Sequence, residues 1–354
     1  MKRLIVILVA LFAFAAADSS ASPQNDNNSS NGVSTSNDVN ISEVVFEHVG
    51  DSYEWHFFNT RDGHSVAMYL PVIVRTRDGQ WHLFSSRHLL HGEGAEYQGL
   101  HIAAEGQPHA GKIVQADGSR PLDISITKNV LSLLMSSILL VVIVLLTARW
   151  YRRHDSLKEA PKGLAALMEP LVCMVNDMAR DNIGPGYRRF TPYLLTAFLF
   201  ILLNNFMGII PVFPGGANLT GNIACTLVLA LFTFFTVNLT GTKHYYKEMI
   251  NPDVPVFLKP IMAPIEIFSA LVKPLSLTIR LFANMLAGHI QILCMVCIIF
   301  IMAKYGGMML AGMGAVSVVF GIFLDVLEML ISFIQAYIFT MLSSIYIGLA
   351  QVKE

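Results

Sequence analysis

Five long apolar segments constrain the fold of this chain more than any other feature of its sequence. Each is as long as, or longer than, the roughly 20-residue helix needed to cross a hydrocarbon core about 30 Å thick. With 54% hydrophobic and 14% charged residues, the chain is predicted to be a mainly α-helical polytopic membrane protein. The predicted membrane helices span about 130–148, 191–211, 222–242, 262–303 and 313–350.

The last two apolar segments are too long to be straight, upright helices. At a rise of 1.5 Å per residue, about 40 residues would extend about 60 Å, twice the hydrocarbon thickness. They must be tilted or broken, with Pro274 and Gly288 as candidate flex points. We expect a long tilted helical hairpin pressed against another protein.

The chain begins with a short apolar stretch behind a basic start. Residues 1–17 end in Ala15-Ala16-Ala17 and are predicted to be a cleaved signal peptide. An uncleaved membrane anchor is the alternative for this segment. Residues 18–40, rich in Ser and Asn and free of aromatics, are predicted to be a flexible linker.

Residues 41–125 have the composition of a small folded domain. SYEWHFFNT, SVAMYLPVIVRT and WHLFSS read as three strands, and the Asp-Gly pairs of RDGH and RDGQ read as the turns between them. We therefore predict a β-rich domain over 41–125, outside the cytoplasm.

Histidines and cysteines raise the question of a metal site. Eight of the eleven histidines lie between His48 and His109, with His88 and His91 close together. They accompany neither an HExxH motif nor cysteines, and the lone CxxC of Cys294 and Cys297 has no second pair. Surface or packing roles are favoured for these residues, so no metal site and no cofactor are predicted.

The distribution of basic residues predicts the orientation of the chain. The segments 149–190 and 243–259 and the C-terminal tail hold twelve Lys or Arg, against only Lys304 in the loops on the opposite side. By the positive-inside rule the C-terminus is cytoplasmic and the N-terminal domain lies outside, which is periplasmic in a bacterium. No basic cluster indicates nucleic acid, and no GxxxxGK[ST] motif indicates bound nucleotide.

Arg280 is the most informative polar residue in the apolar segments. An ionisable group at membrane depth costs several kcal/mol, so it is read as part of a pathway or a buried pair. A guanidinium stays charged and only donates, so it can attract a carboxylate without accepting its proton. Small and polar residues share its helical face or flank it, which lets a partner helix approach. They are Ser276, Ala283, Asn284, Ala287 and Gly288.

The last helix carries a second set of polar residues. Glu328 and Gln335 are seven residues apart and share a face, with Ser332 between them and Asp325 one turn earlier. In a hairpin, Gln335 would neighbour Arg280 while Glu328 would approach His289, giving an imidazole and carboxylate relay for protons. A static ion pair between Arg280 and Glu328 is the structural alternative.

Two motifs resemble one known family. KPLSLTIRLFANMLAGH, followed about 45 residues later by LISFIQAYIFTMLSSIYIGLA, is similar to the a subunit of the membrane sector of F-type ATP synthases. NNFMGIIP at 204–211 is similar to the family's second, Asn-containing span. The resemblance covers roughly 125–352 and does not extend to the N-terminal domain.

The resemblance implies a non-catalytic, proton-translocating stator subunit of a bacterial inner membrane. It implies that Arg280 faces a ring of c subunits, each with a membrane carboxylate, and separates two aqueous half-channels. Gln335 would lie beside the arginine, and the b subunits of the peripheral stalk would be further partners. The remaining residues assigned to the proton path are Ser276, Asn284, Asn205 and, in the cytoplasmic half-channel, Glu266.

One departure from the family pattern concerns the relay. The better-known bacterial pattern has Glu at the position of His289 and His at the position of Glu328. We interpret this as the same relay with its two members exchanged. Asp325 either lines the entry or sits at the outer interface, and both readings stay open.

Other functions are considered beside this one. A sodium-coupled version of the same subunit is a narrow alternative, which a histidine relay disfavours. An independent secondary transporter would require internal inverted repeats, and none is found between 130–242 and 262–350. A membrane-tethered receptor would not require Arg280 or Glu328 in its later helices.

Overall fold

The computed structural model describes most of the chain from residue 50 onward. The described residues form two compact units, considered separately below. The first includes residues of Met1–Ser132, Pro211–Ala217 and His289–Ile322, and the second those of Leu133–Ile210, Asn218–Gly288 and Phe323–Glu354. The described residues are 50–59, 65–90, 96–103, 109, 111–154, 159–210, 216, 219–251, 255, 257, 259–302 and 307–351.

The N-terminal strands form three small antiparallel sheets, with the orders β1-β2, β4-β3-β8 and β5-β6-β7. A short helix, α1 (Arg87–Leu90), follows the fourth strand. The strands are β1 (Glu54–Asn59), β2 (Ser65–Tyr69), β3 (Pro71–Arg75), β4 (Trp81–Ser85), β5 (Glu96–Tyr97), β6 (Leu100–Ile102), β7 (Ile113–Gln115) and β8 (Leu122–Asp123).

The predicted middle strand is wrong in one respect. It divides at Leu70 into β2 and β3, which belong to different sheets. Pro71 begins β3, where its missing N–H removes no ladder bond from a strand interior. The four strands after β4 were not predicted, since each has only two or three residues and such short runs carry little periodicity.

The predicted turn at RDGQ is confirmed. The N–H of Gly79 donates to the carbonyl of Thr76 over 3.0 Å, and Gly79 takes a φ of 81° that favours glycine. The RDGH turn falls outside the described residues. A buried cluster stabilises the domain, and it contains Tyr53, Val72, Val74, Leu89, Leu100 and Ile113.

The five predicted membrane helices are confirmed in the described part of the chain as helices long and apolar enough to span a bilayer. The chain is therefore mainly helical, with strands near its N-terminus. These helices are α2 (Lys128–Arg153), α4 (Thr191–Ile209), α5 (Ile223–Thr240), α7 (Lys259–Met302) and α8 (Gly307–Gln351).

Two further helices lie in segments treated as loops in the sequence. These are α3 (Leu164–Ile183) and α6 (Lys243–Ile250). Helix α3 was missed because its charged residues suggested a cytoplasmic loop, although its buried positions recur at helical spacing. Those positions include Ala165, Met168, Val175, Met178 and Ala179.

Helices α7 and α8 are continuous. Helix α7 runs over 44 residues without a break at Pro274 or Gly288, so neither candidate flex point interrupts it. The hydroxyl of Thr278 donates to the carbonyl of Pro274 over 2.9 Å, the usual bond of a helical threonine to the carbonyl four residues earlier. The long apolar segments were expected to be either tilted or broken. Since α7 is unbroken at Pro274 and Gly288, tilting is the alternative that remains.

The last turns of α8 pack closely against α3. A Cβ added to Gly348 would lie 2.1 Å from the carbonyl oxygen of Asn182. Only glycine allows this approach. It positions the C-terminal half of α8, which is largely buried, whereas the N-terminal half from Val316 to Ile331 is largely exposed.

Candidate functional site

Helix α7 presents the polar and small-residue stripe on its open side. Ser276, Ala283, Asn284 and Ala287 are exposed, and Arg280 is partly buried among them. The other side of the same helix is packed, with Leu277, Leu281 and Met285 buried. The packing of these apolar residues therefore fixes the rotation of α7 and directs the stripe outward.

Arg280 forms no salt bridge with any residue that the structure describes. The alternative of a static ion pair with Glu328 is therefore wrong for this structure. The guanidinium lies on the face of α7 that carries the small residues of the stripe.

Asn284 and Gln335 link the two long helices one turn away from Arg280. The side-chain amide of Asn284 donates to Oε1 of Gln335 over 2.7 Å, and Gln335 is buried. Because residues i and i+4 are neighbours on a helix surface, this bond brings Gln335 of α8 to the level of Arg280. Polar residues of α7 and α8 thus meet there.

Glu328 packs directly against the backbone of α7. A Cβ added to Gly288 would lie 2.6 Å from Oε1 and 2.9 Å from Cδ of Glu328. Glycine at 288 is what allows this buried carboxyl group to approach so closely. His289 follows Gly288 and is partly buried, but it belongs to the other compact unit, so its pairing with Glu328 stays a prediction.

Asn205 connects α4 to α8 beside Glu328. Its side-chain amide donates to the carbonyl of Ser332 over 3.4 Å, and its Oδ1 accepts from the hydroxyl of Thr220 over 2.8 Å. Asn205, Thr220 and Ser332 are all buried. Since Ser332 is one turn after Glu328, these groups form a buried polar cluster beside the carboxyl group.

Sequence reasoning missed Thr220 and a set of hydroxyl groups on the C-terminal half of α8. Ser343 lies 3.2 Å from Thr233 Oγ1, which lies 2.8 Å from the hydroxyl of Tyr193. Ser344 accepts from Asn182 over 2.8 Å. Short hydroxyl side chains cost little in an apolar helix, so their presence gave no signal beyond the adjacent pair Ser343-Ser344.

Glu266 and Lys273 lie on the N-terminal half of α7. Lys273 Nζ is 5.4 Å from the centre of the Tyr346 ring. Lys273 and Tyr346 line a small cavity together with Thr233, Asn238 and Tyr245. Burial raises the pKa of Tyr245 in α6, and the neighbouring Tyr246 and Glu266 raise it further.

Asp325 is exposed on α8, three residues before Glu328. Its exposure does not discriminate between an entry role and an interfacial position. The two carboxyl groups differ in burial, because Glu328 is buried against α7 whereas Asp325 is exposed.

Two histidines of the N-terminal domain contact neighbouring side chains. His82 Nδ1 lies 2.6 Å from Oε1 of Gln98, and the His88 ring stacks on Tyr97 with 4.7 Å between centres. Within the described ranges, no group of three or more His, Cys, Asp or Glu is placed to hold a metal ion. His48, His64 and His91 fall outside them.

Five helices of this length and apolar character in the described part of the chain define a polytopic membrane protein. Residues 133–348 match the family model described as ATP synthase A chain. The chain therefore belongs to the ATP synthase A chain family, and it is a non-catalytic, proton-channel subunit of the membrane sector. Residues 44–131 match a second model, described as a domain of unknown function.

Individual relatives are similar to this chain over the same region. ATP synthase subunit a 2 of Prosthecochloris aestuarii is 45% identical over 237 residues, which is 66% of this chain and 70% of that protein. ATP synthase subunit a of Chlorobium phaeobacteroides is 46% identical over 239 residues, 66% of this chain and 67% of that one. ATP synthase subunit a of Myxococcus xanthus is 38% identical over 236 residues, 65% and 74% of the two chains. A multi-pass protein of a bacterial inner membrane follows from these matches and the five apolar helices.

Proposed function

We propose that this chain is the stator of a rotary proton pathway, in which Arg280 separates two half-channels and controls the carboxylates of a c-subunit ring. The observation that carries the proposal is the open stripe on α7. It holds a guanidinium among small residues and is backed by the hydrogen bond from Asn284 to Gln335. A passing helix with one carboxylate fits such a stripe.

Arg280 has the chemistry needed for a barrier. Because a guanidinium keeps its proton at any accessible pH, Arg280 stays charged and cannot relay a proton. A protonated ring carboxyl group approaching it would lose its proton, since the ionised form is stabilised by the guanidinium. The same positive charge opposes proton passage directly from one half-channel to the other.

The outer half-channel ends at the cluster around Glu328. Glu328 and His289 are the groups that can take and release protons, and Asn205 with Thr220 supplies donors and acceptors one helical turn from Glu328. Asp325, exposed nearby, belongs to the entry of this path. The inner half-channel begins at Glu266 and passes Ser276 on its way to Arg280.

We propose the following topology for these paths. Its basic loops are cytoplasmic, its C-terminus is cytoplasmic, and residues 41–125 form a periplasmic domain joined by the 18–40 linker to a leader that is removed after residue 17. Helices α7 and α8 form the tilted hairpin that faces the ring, while the b subunits of the peripheral stalk hold the stator in place. Protons are the transported ion, and one charge crossing 100 mV releases about 2.3 kcal/mol.

The test is ATP-driven proton pumping by the complex reconstituted into vesicles with a pH-sensitive dye. Arg280→Ala and Arg280→Gln should abolish pumping, while Ile279→Ala, an exposed neighbour on the same helix, should preserve it. Normal pumping by either arginine variant would overturn the proposal. A sodium-coupled subunit would instead require sodium for wild-type pumping, and an independent transporter would carry protons without the ring.

A further inference from the structure

We propose that the N-terminal β domain lies on the membrane surface, with one face of its β4-β3-β8 sheet inserted among the lipid headgroups. That face, here called the apolar sheet face, consists of Trp81, Leu83, Leu122 and Ile124. These side chains are 58%, 74%, 52% and 51% exposed. Four large apolar side chains exposed together on one small domain mark a surface that binds something.

The strand register makes these residues one continuous patch. Arg75 of the central strand β3 pairs with Trp81 on one side and with Leu122 on the other. Ile73 pairs with Leu83, and its carbonyl accepts from the N–H of Ile124 over 2.9 Å. The opposite side of β3 carries Val72 and Val74, which are fully buried in the domain core. The apolar sheet face is therefore a second apolar side of a sheet whose first side is already packed.

The short connection between Ile124 and the membrane helix α2 keeps the apolar sheet face close to the bilayer. Ile124 precedes Lys128, the first residue of the membrane helix α2, by four residues. An extended chain of that length reaches at most about 14 Å. The headgroup zone on each side of the hydrocarbon core is about 5–8 Å thick, so Ile124 is held within or just beyond this zone.

Hydrogen bonds hold the domain to the start of α2. The N–H of Lys128 donates to the carbonyl of Ser52 over 2.9 Å, and the N–H of Asn129 donates to Asp51 Oδ1 over 3.2 Å. These groups satisfy two of the donors left open in the first turn of the helix. The segment that precedes β1 is thus hydrogen-bonded to the first two residues of α2.

The composition of the face suits an interface better than a protein core. The Arg75 guanidinium lies 5.7 Å from the centre of the Trp81 ring, and tryptophan and arginine are residues that favour the headgroup level. Leu83, Leu122 and Ile124 supply the apolar contact with acyl chains. An interfacial segment binds through this combination of buried apolar area and basic charge.

Lipid contact is tested on the full chain in vesicles of phosphatidylethanolamine and phosphatidylglycerol. The native cysteines are replaced by serine, and a nitrobenzoxadiazole dye is attached to Leu83→Cys, Ile124→Cys or, as control, Asp117→Cys. Asp117 is exposed in the turn between β7 and β8 and is not one of the residues of the apolar sheet face. Lipids with a nitroxide near the headgroup should quench the dye several-fold more at 83 and 124 than at 117.

Equal quenching at all three sites would overturn the proposal. So would a dye at 83 that is shielded only in the assembled complex and is not quenched by the nitroxide lipids, because another protein would then cover the face. A second measurement needs no label. Brominated lipids should quench wild-type tryptophan fluorescence more than that of Trp81→Phe, and an identical quenched fraction in the two proteins would contradict lipid contact.

Discussion

Helices α7 and α8 differ from the β domain in what a polar residue signifies. On α8, Glu328, Ser332 and Gln335 are each less than 8% exposed, and their contacts run to α7 and α4. In the β domain, His88 is exposed to solvent, His82 is partly exposed, and both have local partners. A polar group costs several kcal/mol in lipid and almost nothing at a wet surface.

A polar residue in the sequence is therefore more informative about function in the membrane helices than in the β domain. In the membrane helices a polar side chain persists only if it performs a task or has a buried partner. In the β domain the apolar residues are the constrained ones. Substitutions should therefore separate into changes that stop transport in one region and changes that weaken folding in the other.

Glu328→Gln should have the largest effect after loss of Arg280. The variant keeps the shape of the side chain but cannot take up and release a proton, so ATP-driven pumping should fall on the order of 100-fold. The control is Met329→Gln, which places the same side chain at an exposed neighbouring position. Pumping reduced equally by both variants would mean that the carboxyl group has no special role.

Gly288→Ala should reduce pumping about tenfold, because the added methyl group overlaps the carboxyl group of Glu328. Glu328→Asp is one methylene shorter, so the double variant should pump better than Gly288→Ala alone. The matched control is Gly321→Ala, where an added Cβ meets no atom within 4 Å. Absence of rescue would show that the close approach at 288 does not position the carboxyl group.

Asn284→Ala and Gln335→Ala should each lower pumping by about fivefold, the value of one net hydrogen bond of about 1 kcal/mol. Because they share that bond, the double variant should be little worse than either single variant. A double-mutant cycle on initial pumping rates measures the coupling. Fully additive losses would mean that the two amides act independently.

Leu100→Ala should have the smallest effect on transport and a clear effect on the β domain. Leu100 is fully buried in the domain core, so its truncation should destabilise the domain by about 2–5 kcal/mol. Faster amide exchange in β3 and β6 would report this loss, with pumping unchanged. The control is Arg77→Ala, at an exposed position after β3, which should change neither amide exchange nor pumping. Loss of pumping in Leu100→Ala would contradict the prediction and show that transport depends on the folding of the β domain.

The sequence predicts the membrane region well for a physical reason. Helical periodicity places Ser276, Arg280 and Asn284 on one face whatever the rest of the fold does, and the seven-residue spacing of Glu328 and Gln335 does the same on α8. The hydrogen bond of Asn284 to Gln335 agrees with that reading. The contribution of Thr220 could not be predicted, because it depends on how an irregular turn packs against Asn205.

The β domain was predicted less completely. Alternation identified its first strands, but the break at Leu70 depends on which sheet each half joins. The two- and three-residue strands β5 to β8 are defined by their partners. The apolar sheet face is likewise invisible to periodicity, which predicts that Leu83 and Ile124 share a side but not that this side remains uncovered.

The barrier role of Arg280 is tested most directly by passive proton conduction through the reconstituted complex, without ATP and under an imposed membrane potential. Arg280→Ala and wild type are compared at equal protein density. If Arg280 is the barrier, its removal lets protons pass between the half-channels. The Arg280→Ala vesicles should then conduct faster than wild type, while coupled pumping is lost. Equal conduction in the two, with coupled pumping intact, would contradict this role.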